Sequence, residues 1–226
     1  MGCLWFFLLN KTSGGTMKYD KEDRNDDKSG MQKEFFNQRA CEWDKITTHD
    51  ADKIEYILSV LHLKGCEKIL DVGTGTGVLI PFYTKHLSSG TIIAIDFSEN
   101  MIKNASSKFP EDMYPQVEFV VFDVYDLNYS SQFDIVMCYS CFPHFNNKPL
   151  ALSILHKTLK PQGKLVIAHS NSRDEINNTH MNSGNEISKD ILPSISVLKN
   201  MITDAGFEVI FDRDDTDFFM IVAKKK

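Results

Sequence analysis

Ile69-Leu70-Asp71-Val72-Gly73-Thr74-Gly75-Thr76-Gly77 is the stretch that decides the fold. Lys68–Val72 reads as a short strand covered on both faces, because apolar residues surround its one acid. The glycines at alternate positions let the backbone turn tightly into a helix, with no Cβ to hold a ligand off. The spacing is Gly-x-Gly-x-Gly with an acid two residues ahead, which differs from the Gly-x-Gly-x-x-Gly of dinucleotide-binding turns. A turn of this kind also serves as a bare strand-to-helix link, so it names no ligand by itself.

Outward from that turn the pattern is regular. Upstream, Ile54, Ile57, Leu58 and Leu61 fall on one helical face, and Gly65 is expected to close that helix. Downstream, a helix runs to about Leu87, with Pro81 near its first turn. Thr91–Ile95 forms a second strand ending at Asp96, and Ser98 is placed to cap the helix after it. Val117–Phe122 is a third strand ending at Asp123, and Phe133–Tyr139 a fourth. A helix near Pro149–Leu159 leads through Pro161-Gln162-Gly163 into strand Lys164–His169. Pro193 opens a last helix, ended by Gly206, and strands Phe207–Arg213 and Asp217–Ala223 are spaced to pair as a hairpin. Strands alternating with helices predict an α/β, doubly wound, mostly parallel seven-stranded sheet, with a C-terminal antiparallel hairpin at its edge.

The 226 residues suffice for one such domain, and 42% of them are hydrophobic. With 25 Lys and Arg against 31 Asp and Glu, the net charge of −6 argues against a nucleic-acid partner. Five cysteines, Cys3, Cys41, Cys66, Cys138 and Cys141, are an odd number, so a reducing, cytoplasmic setting is expected. The apolar run Cys3–Leu9 is too short to span a membrane, and stable membrane insertion is not expected. Asn10–Gly30 lacks a hydrophobic period. Residues 1–30 are therefore expected to be disordered or an over-extended reading frame, Met17 and Met31 being alternative starts. Residues 31–49 form a lead-in or lid, and residues 50–226 the domain proper.

In open parallel sheets ligands bind beyond the C-terminal strand ends, and that rule collects the candidate site. Asp96 is placed to take both hydroxyls of a ribose, and Asp123 to accept a hydrogen bond from an adenine amino group. With Asp71 these make three acids near three successive strand ends, which predicts a nucleoside site.

On these motifs the chain resembles the class I S-adenosylmethionine-dependent methyltransferases. The stretches that carry the resemblance are ILDVGTGTG (69–77), AIDFSENMI (94–102), VVFDVYDL (120–127), FDIVMCYSCFPHF (133–145) and LKPQGKLVIAH (159–169). It looks closest to the small-molecule branch that includes ubiquinone and menaquinone methyltransferases, with a Rossmann-like fold. The resemblance implies S-adenosylmethionine as cofactor, with Gly73, Thr74, Gly75 and Gly77 bordering its methionine part and Asp71 helping to hold the amino group. It implies Asp96 at the ribose, Phe97 beside the adenine, Asp123 and Val124 at the adenine edge, and Tyr139 in the methyl-transfer chamber.

A base is needed only where the acceptor loses a proton, and histidine suits that task near neutral pH. His144 follows the fourth strand and His169 ends the fifth, so these two are the catalytic candidates. His180 lies further on, past Ser172 and Glu175, which are spaced as a helix capping box. Cys138, Cys141 and His144 form a compact C-x2-C-x2-H run without a second cysteine pair, and no metal is assigned to it. Phe35, Phe36 and Trp43 would supply aromatic faces to a lid, and Ser170–Leu192 another wall of the acceptor pocket. The expected function is methyl transfer to a small molecule. A macromolecular acceptor and a non-catalytic cofactor-binding module are the alternatives; the oligomeric state is not encoded.

Overall fold

The computed structural model describes residues 26–183 and 186–226. Three helices lead in: α1 (Asp26–Arg39), α2 (Trp43–Ile46) and α3 (Ala51–Leu61). The Asp50 carboxylate caps α3 by accepting from the backbone N–H groups of Asp52 and Lys53 at 2.9 and 3.1 Å. His62, in the left-handed conformation at φ 52°, ends it. Helix α3 thus stops three residues before Gly65, the expected terminator.

Then follow β1 (Lys68–Val72), α4 (Ile80–His86), β2 (Thr91–Asp96), α5 (Glu99–Lys108), β3 (Val117–Val121), β4 (Phe133–Tyr139), α6 (Lys148–Thr158) and β5 (Leu159–His169). Helix α7 (Arg173–Met181), helix α8 (Ile195–Asp204), β6 (Phe207–Asp214) and β7 (Phe219–Lys225) complete the chain. Pro81 occupies the first turn of α4, where its missing N–H costs nothing. The seven strands lie in the order β3-β2-β1-β4-β5-β7-β6. All neighbours up to β5 are parallel, and β7 runs antiparallel to both β5 and β6. The predicted fold class holds, with one refinement. The hairpin does not add its last strand at the edge: β7 inserts between β5 and β6. Burial explains the order, since Phe219–Ala223 is apolar and covered throughout, whereas β6 alternates buried and exposed residues as an edge strand does.

Two further boundaries differ from expectation. Strand β5 starts at Leu159 because Leu159 pairs with Phe133, and the ladder resumes only at Lys164 against Ile135. Residues 160–163 bulge between these points, with Gln162 at φ 66°. Helix α1 begins at Asp26, inside the segment expected to lack structure. Its first turns are held by tertiary contacts that no local pattern encodes: Lys28 bridges Asp190 at 2.6 Å, and the Ser29 hydroxyl accepts from Asn146 at 2.9 Å. Residues 1–25, with the Cys3–Leu9 run and the alternative start Met17, fall outside the described residues. No described helix is long and apolar enough to cross a membrane.

The sheet separates two apolar layers. Leu70, Val136, Cys138 and Ile167 face α6 and α8, while Ile69, Ile135, Met137 and Val166 face α3 and α4. A third, smaller cluster packs Phe35, Phe36 and Ala40 against Met101 and Ile187, with Trp43 and Phe97 beside them. That cluster seats the lead-in helices over the C-terminal ends of the strands. The order reverses between β1 and β4, which makes this end the topological switch point.

Candidate active site

The glycine turn after β1 is built by backbone conformation. Gly73, Gly75 and Gly77 have φ of 66°, 56° and 84°, in the region that L side chains avoid. A Cβ on Gly73 would lie 2.5 Å from the Cβ of Cys141, so this position has no room for one. The Thr74 N–H donates to the Ile95 carbonyl at 2.9 Å, which ties the turn to β2.

Asp96 organises the next layer. It is 7% exposed, and its two oxygens accept from Gly75 N–H at 3.0 Å and Ser98 N–H at 2.9 Å. Burial pushes its carboxyl up to about 6; the two N–H bonds pull the other way and the Asp123 charge adds to the rise. A carboxylate has lone pairs beyond these two bonds, so Asp96 can hold the turn and still receive hydroxyl donors. Asp123 caps a 3-10 turn, Val124–Asp126, through the Tyr125 N–H at 2.9 Å.

These groups open on one cavity of about 400 Å³, within the range of small-ligand sites. Gly73, Thr74, Gly75, Asp96, Phe97, Asp123, Val124, Tyr139, His144 and His169 all line it. Asp71 and Gly77 do not. Asp71 is 2% exposed beneath the turn, accepting from the Thr74 hydroxyl at 2.7 Å and the Tyr83 hydroxyl at 3.3 Å. Burial raises its carboxyl to about 7, against the lowering effect of both hydroxyls. Gly77 faces away as well; a Cβ there would meet Phe109 at 2.8 Å.

Opposite the acids stands a group of imidazoles. His144 Nδ1 lies 2.8 Å from Asp190 Oδ2, and its ring stands 4.9 Å from His180 and 5.1 Å from Phe36. Asp190 is covered entirely; Lys28 at 2.6 Å and Gln32 at 2.7 Å donate to it as well. His180 Nδ1 is bonded to the Asp190 carbonyl. His169 is 3% exposed, and its Nε2 has no hydrogen-bond partner. Burial drops its pKa to about 3, helped by the neighbouring His144 and His180, so the ring is neutral at physiological pH. The Tyr139 hydroxyl donates to Ser170 Oγ at 3.0 Å and lies 3.1 Å from His49 Nδ1.

Helices α1 and α2 cover this end. The Phe36 ring packs on Trp43 at 5.5 Å and on Phe97 at 5.9 Å, and Asn37 accepts from the Ser98 hydroxyl at 2.6 Å. Helix α7 forms the other wall, with Ser172 and Glu175 closing the capping box their spacing predicts. Cys138 is buried within the sheet, and the Cys141 thiol donates to the Val72 carbonyl at 3.0 Å. Cys138 is a packing group; Cys141 also borders the cavity, and burial pushes its thiol well up. Among the described residues no cluster of three or more His, Cys, Asp or Glu side chains is arranged to hold a metal. Sequence reasoning missed His49, Gln32 and Asp190; Asp190 lies in an Asn- and Ser-rich insert with no pattern to mark it.

The comparisons agree with this architecture. The sequence profile described as a methyltransferase domain matches residues 63–214, about two thirds of the chain. The malonyl-[acyl-carrier protein] O-methyltransferase of Priestia megaterium is 33% identical over 100 residues, 44% of this chain and 35% of that protein. Phosphoethanolamine N-methyltransferase 3 of Arabidopsis thaliana is 29% identical over 192 residues, 80% of this chain and 37% of the relative. This chain therefore spans little more than a third of the length of those relatives. A SAM-dependent methyltransferase structure from Aquifex aeolicus superposes with a TM-score of 0.67 at 20% identity, covering 84% of this chain and 98% of the other. On the profile match this chain belongs to the methyltransferase domain family, and it shares the fold of a SAM-dependent methyltransferase structure.

Proposed function

We propose that the protein transfers a methyl group from S-adenosylmethionine to a small-molecule acceptor, leaving S-adenosylhomocysteine, with His144 as the proton acceptor. The carrying observation is the single cavity of about 400 Å³ onto which the glycine turn, Asp96 and the histidines all open. Asp96 would hold the ribose hydroxyls, Phe97 would flank the adenine, and Asp123 and Val124 would meet its edge. Gly73, Thr74 and Gly75 would border the methionine part. Asp71 and Gly77 lie outside the cavity lining, so they are assigned to support of the turn: Asp71 acts through Thr74.

Bound there, the sulfonium supplies a methyl group that is already activated, so the protein's main task is alignment. Helix α1, seated over the cavity through Phe36, keeps water out. With Nδ1–H donating to the Asp190 carboxylate, His144 presents Nε2 as the proton-accepting nitrogen. His169 is too weak a base for that step, because its pKa near 3 keeps it unprotonated. It serves instead as a neutral hydrogen-bonding group toward the acceptor. One relative is named for phosphoethanolamine, a small molecule, which supports that class of acceptor.

Methyl-labelled S-adenosylmethionine, incubated with protein and the low-molecular-weight fraction of a cell extract, tests the reading. Label should enter small products, and His144→Asn should cut the rate by about 10²–10⁴-fold while S-adenosylhomocysteine affinity holds. Label found only in macromolecules, or an unaffected His144→Asn protein, would overturn it.

A further inference from the structure

We propose that Gln32, carried by the lid helix α1, is a positioning residue for His144, so that the base is assembled only while α1 is seated; this rests on the reading of His144 as proton acceptor. Gln32 is 1% exposed although its side chain is polar. Its amide nitrogen donates to Asp190 Oδ2 at 2.7 Å and to the His144 carbonyl at 3.2 Å. Its amide oxygen accepts from Asn146 Nδ2 at 3.0 Å. These partners fix which way the amide faces, since a carboxylate and a carbonyl only accept and an amide nitrogen only donates.

The bonds close a ring around the base. Asp190 Oδ2 takes both the Gln32 amide and His144 Nδ1, the latter at 2.8 Å, so one oxygen is held from the lid and from the imidazole at once. The same Gln32 nitrogen grips the backbone of His144. The side chain thereby sets the separation between the His144 main chain and the carboxylate that orients its ring. Asn146 also donates to Ser29 Oγ at 2.9 Å, so α1 holds the segment after β4 through two residues of one helical face.

Lifting α1 would break these bonds together with the Lys28 bridge to Asp190 at 2.6 Å. Of the three donors on that carboxylate, His144 alone would stay in place. The imidazole would then lose the fixed orientation that proton transfer needs, and a misplacement of about 1 Å can cost about 10²-fold in rate. The other end of α1 reaches the side assigned to the adenosine. Asn37 accepts from the Ser98 hydroxyl at 2.6 Å and from the Asn100 N–H at 3.2 Å, just after Asp96 and Phe97. One helix thus spans the cofactor loop and the base, and seating it completes both.

The test is histidine side-chain proton–nitrogen NMR of the full-length protein, which reports ring tautomers and needs no acceptor. At about pH 8, above the ordinary histidine range, one ring that is missing from His144→Asn should be held as the Nδ1–H form. Gln32→Met keeps the side-chain length without the three bonds, and should return that ring toward the tautomer mixture of free imidazole. Asn146→Ala, which leaves Asp190 and His144 in place, should move it the same way. An unchanged ring in folded Gln32→Met, or in Asn146→Ala if only that variant folds, would overturn the inference. An Nε2–H form already in wild type would instead sink the proton-acceptor reading itself. Label transfer into the low-molecular-weight fraction adds a kinetic arm: Gln32→Met should cut the rate by about 10–10²-fold in wild type and by less than about threefold in His144→Asn. Equal losses in both backgrounds would make Gln32 a fastening of the lid and overturn its role at the base.

Discussion

Replacing Asp190 by Asn probes the joint between lid and acceptor wall. The carboxylate is fully covered and accepts from three side chains on two elements at once: Lys28 and Gln32 on α1, and His144 after β4. Asn keeps the volume but removes the charge, and it turns an NH2 toward one of three donors. Breaking a fully buried pair by removing one partner costs about 3–5 kcal/mol. Lys28 keeps 26% of its side-chain surface in water, which lowers the expected loss to about 2–4 kcal/mol. Against a typical domain stability of about 5–15 kcal/mol, that is easily measured by urea unfolding. Amide exchange should locate the loss in α1, whose first turns the carboxylate holds. The effect should also depend on pH. Burial alone would raise the Asp190 carboxyl, but the bonds from His144, Lys28 and Gln32 hold it below the usual carboxylate value. A carboxyl depressed on folding stabilises above its unfolded pKa, about 3.9. The gap between wild type and variant should therefore be full at pH 7 and shrink as pH falls below about 4. A loss under about 0.5 kcal/mol at pH 7, with α1 protection unchanged, would refute the reasoning.

Three further outcomes follow from the site. Gly73→Ala should lose about 2–5 kcal/mol in urea unfolding, since φ is 66° and the new Cβ would lie 2.5 Å from Cys141 Cβ. A loss under 1 kcal/mol would mean the turn relaxes freely, about the least that either effect alone should cost. Affinity for S-adenosylhomocysteine should be level above pH 6 and fall toward tenfold per unit below it. Asp96 protonates near pH 6 in the free protein, and ribose hydroxyls favour its ionised form. Isothermal calorimetry across pH 5–8 reads this, and a flat profile would contradict it. His169, with a folded pKa near 3 against 6.5 unfolded, makes the unfolded state bind the extra proton between those values. Wild type should therefore lose about 2 kcal/mol relative to His169→Gln between pH 7 and pH 5, by denaturant unfolding at each pH. Parallel pH profiles would show that the ring takes a proton while folded.

Much of the fold was legible because its signals are local. The Lys68–Val72 run, the glycines after it and the strand-end acids each occupy a few consecutive residues, and Ser98 and Ser172 cap helices as their spacing predicts. What escaped was set by distant partners. The start of α1 depends on Asp190 and Asn146, more than a hundred residues away in sequence. The insertion of β7 beside β5 depends on which hairpin strand is apolar on both faces, a comparison that a pairing rule does not make. Asp71 carried the right residue type at the right spacing, yet it lies beneath the turn, since side chains alternate between sheet faces and its own points toward Tyr83. His169 and His144 look alike in sequence. Only burial separates a neutral ring from one whose Nδ1 meets a carboxylate.

The most direct test of the central claim is calorimetric titration with S-adenosylmethionine, S-adenosylhomocysteine and NADH, on wild type and on Asp96→Asn. The account predicts micromolar or tighter binding of both adenosyl compounds, no binding of NADH, and a large loss in the variant. Absence of adenosyl binding to folded wild-type protein, or undiminished binding by Asp96→Asn, would contradict it.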